Sequence, residues 1–172
     1  MTNENSAHYI QVITMNKARV QSTKESAGLT RSGGKRPNGV KLIPWAKGRC
    51  LTWDVTVADT FATLHTIAST SYLPGAAAEL AVTLKKQKRA ALSLTHEFVP
   101  IAIETSRIFN SEGWDFVKKI GSRLSNALSN EKETAYLFQR ISVAIQRGNS
   151  ISFSESFEQC DNKWEPAPRR SF

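Results

Sequence analysis

From residue 40 to residue 57 apolar and polar side chains alternate. Val40, Leu42 and Pro44 fall on one side of a first strand, WAKGR supplies a turn, and Leu51, Trp53, Val55 and Val57 share one face of a second strand. A period of two predicts a β-hairpin, with Cys50, Thr52, Asp54 and Thr56 on the opposite face of that second strand. After Asp59, which reads as an N-cap, the period lengthens. Phe61, Leu64 and Ile67 predict a helix that the SYLPG segment breaks. A second helix is predicted from about Ala76 to Leu92, with Leu80, Leu84 and Ala91 among its apolar members. Lys85, Lys86, Lys88 and Arg89 crowd its second half, where cations favour the negative end of the macrodipole. FVPIAIET, residues 98–105, is short, apolar and partly β-branched, and predicts a buried strand. Trp114, Val117, Ile120, Leu124 and Leu128 recur at spacings of three and four and predict another helix. Asn130 to Glu133 imitates a capping box that opens a last helix through Phe138, Ile141 and Ile145, with Gly148 as its C′ residue.

The order hairpin, helices, strand, helices predicts an α/β or α+β domain, and α/β is the expected class, with a small mixed sheet, the hairpin plus a further strand, flanked by helices. With 172 residues the chain suits one domain and tails. Residues 1–24 lack a sustained period and read as a poorly ordered basic arm, residues 25–149 as the domain, and residues 150–172 as a polar, loosely attached tail. Gly, Ser and Pro are dense up to position 39, so poor order is expected before Val40. No apolar run approaches the roughly 18 residues that span a bilayer, and the N-terminal segment lacks the pattern of a secretory signal. A nuclear or cytoplasmic location, without membrane insertion or secretion, is expected.

Cys50 and Cys160 have neither metal-ligand spacing nor a disulfide framework, and His8, His65 and His96 are scattered, so none is a candidate ligand. Charge is more informative because it is uneven. Residues 1–50 hold nine Lys/Arg against two acids, whereas residues 51–104 hold four against five. A basic N-terminal third suits either a polyanionic partner or a merely solvated arm.

Asp54 is the anomaly of the hairpin. An ionised carboxylate on a half-buried strand is costly unless it is hydrogen-bonded, paired or metal-bound. Three explanations are open: hydrogen bonds from Thr52, Thr56 or a helix end; a shared divalent cation; or an ion pair with a lysine of the 85–88 cluster.

Five blocks in order, ESAGLTRSGGKRPNG leading into VKLIPW, then LTWDVTVADT, the Lys-rich helix, FVPIAIET and FQRISVAIQRGN, resemble a known family. It is the restriction-like endonuclease domain of the PD-(D/E)XK type that follows the reverse transcriptase in many metazoan retroelements. The resemblance covers roughly residues 25–149. It implies a restriction-endonuclease-like fold in which one carboxylate beside a proline and a second on the next strand hold one Mg²⁺ or Mn²⁺. The ion activates a water against a DNA phosphodiester, and a lysine steadies the developing charge. On this chain Pro37 and Asn38 occupy the Pro-Asp position, Asp54 is the strand acid, and Thr56 stands at the usual lysine position. Related members carry the lysine on the following helix, where Lys88 matches, with Lys85 as the lesser choice and Arg89 in place of a tyrosine.

The resemblance therefore implies Asp54, Lys88 and Asn38 as the catalytic set and Asp54 and Asn38 as the metal ligands. Lys35, Arg36, Lys41, Lys47, Arg49 and Lys85 are the candidate nucleic-acid contacts, with DNA the expected partner and no small-molecule cofactor. Asn38 keeps the shape of the expected Asp but not its charge, which argues for weak or lost hydrolysis. Glu25 and Glu104 are the alternative sources of the missing carboxylate, but each reads better as a surface or structural acid. The short patternless N-terminus and the absence of the family's Ala-rich continuation suit a truncated or degenerate copy. Three functions compete: a metal-dependent endodeoxyribonuclease, a catalytically dead nucleic-acid binder, and a purely structural remnant. Trp45 reads as hairpin packing, with base stacking as the alternative.

Overall fold

A computed structural model of the chain describes residues 22–24, 39–46, 48–60 and 73–161. Four strands, β1 (Ser22–Lys24), β2 (Gly39–Ala46), β3 (Arg49–Ala58) and β4 (His96–Glu104), lie in the order β1-β2-β3-β4. The first three pair antiparallel, and β4 joins β3 in parallel, so the sheet is mixed. The described helices are α1 (Ala76–Lys88), α2 (Leu92–Thr95), α3 (Ser111–Leu128) and α4 (Glu133–Asp161). The molecule is thus an α/β fold, as the order of periods predicts.

Period two along β3 decides which helix covers which face. Leu51, Trp53 and Val55 point to α3 and α4, where Phe116, Ile120, Leu124, Leu137, Ile141 and Ile145 complete the main core. Each fully buried side chain of this size contributes about 1.5–3 kcal/mol of transfer free energy, so this is the stabilising half of the fold. The opposite face carries α1 through small residues: Ala78 and Val82 pack on Ala102 of β4. β4 is therefore covered on both sides, which is why its sequence reads as a continuous apolar run. Gly39 is required where β2 meets β3, because a Cβ there would collide with the Trp53 indole.

Two buried polar residues fasten the crossover. Glu104 is 1% exposed, and its Oε1 accepts the Ala77 and Ala78 amides at 3.0 and 3.3 Å. Gly75, the N-cap of α1 at φ 87°, has no side chain with which to cap, so a carboxylate from β4 does it instead. Asn110 is wholly buried and its Oδ1 accepts the Ala102 amide at 2.8 Å. With the Asn110 and Glu104 amides donating to Ala102 and Ile108 carbonyls, the segment after β4 folds back over that strand's free edge.

Several expectations change. α1 stops at Lys88, where the Arg89 amide bonds the Lys85 and Lys86 carbonyls, and α2 is a separate turn. Gly148 does not end the last helix, which continues to Asp161; the glycine is buried within it and the neighbouring Asn149 donates to the Thr105 carbonyl at 2.9 Å. Residues 150–161, expected as loose tail, are helical because extending a formed helix costs far less than starting one. Ser22–Lys24, expected within the unpatterned arm, pairs with Lys41, Val40 and Gly39 through backbone bonds that need no side-chain pattern. Trp114 and Leu128 of the predicted apolar stripe are 47% and 49% exposed. Trp114 instead joins a rim cluster with Phe109 and Phe138. The helix predicted after Thr60 lies outside the described residues.

Candidate functional site

Asp54 sits on the α1 face of β3, between Thr52 and Thr56, and its side chain is 13% exposed. Pleating alone puts it there, since Trp53 and Val55 must face the main core. Two cations at the C-terminal end of α1, one from its last turn and one from its C-cap, meet it on one oxygen: Lys85 Nζ and Arg89 Nη2 each lie 3.3 Å from Oδ2. They are four residues apart, on one side of the helix end. Lys85 also donates to the Val55 carbonyl at 3.1 Å, so its ammonium is held by the strand backbone as well as by the acid. The side chains of Lys85 and Arg89 are only 18% and 12% exposed, and the triad is a largely desolvated cluster with one positive charge in excess. Of the three explanations open for Asp54, the ion pair is the one realised, with a second cation added.

The expected catalytic set is therefore brought together only in part. Lys85, the lesser choice, meets Asp54; Lys88 is exposed on α1. The difference is one of helical phase. Arg89, noted only as a replacement for tyrosine, completes the cluster. Asn38 lies outside the described residues, and the described β2–β3 ladder ends with Gly39 opposite Trp53, one residue before Asp54. Glu104 is a structural acid, as expected, spent on capping α1.

A divalent ion does not fit the described donors. Mg²⁺ sites rest on carboxylate oxygens, and here one carboxylate faces two cations that compete for the same oxygen. Among the described residues no group of three His, Cys, Asp or Glu side chains is placed to hold a metal ion.

The nucleic-acid candidates separate as well. Lys35, Arg36 and Lys47 lie outside the described residues. Arg49 Nη2 is paired with Glu97 across the β3–β4 ladder at 2.9 Å, and Lys85 belongs to the Asp54 triad. Lys41 remains, and it lies over the Trp45 indole, 4.9 Å from the ring centroid. Lys119 and Arg123 of α3 reach the same ring, at 5.3 and 3.8 Å. Trp45 packs against Phe116 of α3. This basic group is consequently on the α3 side of the sheet and Asp54 on the α1 side. Lys119 and Arg123 escaped the sequence reading, although their spacing of four on a helix is visible there. Burial pushes the Lys41 ammonium below its usual pKa, and the Arg123 charge lowers it further, against a smaller opposing effect of Cys50.

No described helix is long and apolar enough to cross a membrane. The chain matches no protein-family model and no curated protein.

Proposed function

We propose that this is a restriction-endonuclease-like domain of retroelement descent that binds nucleic acid through phosphate contacts and does not hydrolyse it. The ordered sequence blocks support the descent, as do an antiparallel hairpin followed by a parallel strand and a connecting helix that delivers a lysine to the strand acid. The observation that carries the loss of hydrolysis is the double clamp on Asp54: the acid available to a metal is already neutralised by Lys85 and Arg89. Binding is supported by cations gathered on the other face of the sheet and by a net charge of +8.

Supercoiled plasmid incubated with the purified chain and Mg²⁺ or Mn²⁺ is the direct test. The plasmid is expected to remain uncut, as with Asp54→Ala, while a labelled DNA shows affinity that falls steeply with salt and ignores the divalent ion. Asn38→Asp is expected to leave the plasmid intact too, because the clamp on Asp54 persists. Nicking by the wild type above the Asp54→Ala level overturns the reading, and a flat salt response removes the binding half of it.

A further inference from the structure

Three cations converge on one indole. Arg123 Cζ lies 3.8 Å from the Trp45 ring centroid, within stacking distance, and Lys41 and Lys119 Nζ lie at 4.9 and 5.3 Å. Lys41 comes from β2, whereas Lys119 and Arg123 come from α3, so only the tertiary fold assembles the group. Among the described residues no carboxylate lies within 4.0 Å of any of the three. This contrasts with Lys85, Arg89, Arg49, Lys86 and Arg140, each of which is paired with an acid. The indole face attracts cations, but three like charges at this spacing also repel one another. Burial lowers the pKa of Lys41, and the repulsion from Arg123 lowers it further. Lys119 and Arg123 are exposed, and Lys41 and Trp45 are half-buried, so the cluster opens to solvent.

We propose that this cluster takes a single, unpaired nucleic-acid strand: Lys41 and Lys119 hold backbone phosphates, and a base stacks on the Arg123 guanidinium, which the Trp45 indole backs. The inference rests on the nucleic-acid reading above and narrows it. A guanidinium lying on an aromatic ring presents a flat cationic surface that accepts any base face, and base faces are available only where a strand is unpaired. A duplex offers the same lysines phosphates but leaves the stacking surface unused.

Fluorescence anisotropy of a labelled oligothymidylate, and of a labelled duplex of equal length, measures both properties on the whole 172-residue chain. The single strand is expected to bind at least about tenfold more tightly than the duplex, and Arg123→Gln to erase most of that preference. Replacing Lys41 and Lys119 together with Gln is expected to flatten the dependence of log K on log salt by about 1.4, roughly 0.7 for each phosphate contact on a single strand. Lys118→Gln, at an exposed position of the same helix, is expected to leave the strand preference unchanged. Trp45→Ala also disturbs packing on Phe116, so Arg123→Gln, at an exposed position, is the decisive variant. If Arg123→Gln binds the strand as the wild type does, this site is overturned while the nucleic-acid reading stands. Equal affinity for strand and duplex overturns the unpaired-strand assignment, and no binding of either at low salt overturns both readings.

Discussion

Asp54 stabilises the fold in proportion to what it neutralises. Removing it leaves Lys85 and Arg89 facing each other across a largely desolvated gap. Asp54→Ala is therefore expected to lower stability by about 2 kcal/mol, somewhat less than for a fully buried pair, as read from the urea midpoint. A triple variant that also carries Lys85→Met and Arg89→Met is expected to recover most of that loss, because methionines fill the space without needing a counter-charge. Lys41 behaves in the opposite sense. Its folded pKa lies below the usual 10.5, so between the two values the unfolded chain holds a proton that the native chain has released. Native stability relative to Lys41→Gln is then lowest at neutral pH and rises as pH climbs through the folded pKa toward 10.5, which chemical denaturation at a series of alkaline pH values checks. At this scale Asp54 was legible in the sequence as an anomaly, and its partner only to within the 85–88 lysine cluster, with Arg89 unforeseen. The contact face of α1 is built of alanines and one valine, which fix the rotation of a helix poorly, and so the local pattern does not single out Lys85 over Lys88.

Among the elements, α1 depends on a cap that its own sequence does not contain. Glu104 accepts the Ala77 and Ala78 amides with one oxygen and the Ser106 hydroxyl with the other, at 3.0 Å. Glu104→Ala leaves the two buried amides unsatisfied and is expected to cost about 3 kcal/mol or more, while Glu104→Gln, which retains one acceptor oxygen, is expected to cost roughly half as much; thermal unfolding followed by circular dichroism distinguishes the two. The hairpin was legible because one buried face forces alternation, and α3 because Val117, Ile120 and Leu124 keep their helical spacing. β1 was not, since three residues paired through backbone alone leave no pattern. Gly148 misled for a related reason. Glycine ends a helix when its backbone turns left-handed, whereas here it is buried inside α4, and nothing in the local sequence separates the two uses.

For the molecule as a whole, strand order was the hidden variable. The sequence predicts a hairpin and a further strand without saying on which side of the hairpin the strand docks. Placement of β4 beside β3 makes Asp54 central, with Pro100 of β4 as its register partner. It also assigns different charge environments to the two faces of the sheet, an acid paired with two cations under α1 and a basic cluster against α3 that has no acid partner among the described residues. Neither assignment follows from local periodicity. Both follow once Trp53 commits its face to the main core. The basic excess of the N-terminal third is legible as a charge but not as a location, because two of the three cations on Trp45 come from a helix far along the chain.

The alanine seam between α1 and β4 has a mechanical consequence. Ala78 and Ala102 are both fully buried, and side chains this short let the helix ride low over the strands. Only at that height do the Lys85 and Arg89 stems come down onto Asp54. A leucine at position 78 would act as a shim, lifting the helix and drawing both cations off the acid together. Interlayer spacing, rather than the acidity of one side chain, is thus the setting that keeps this face of the sheet shut.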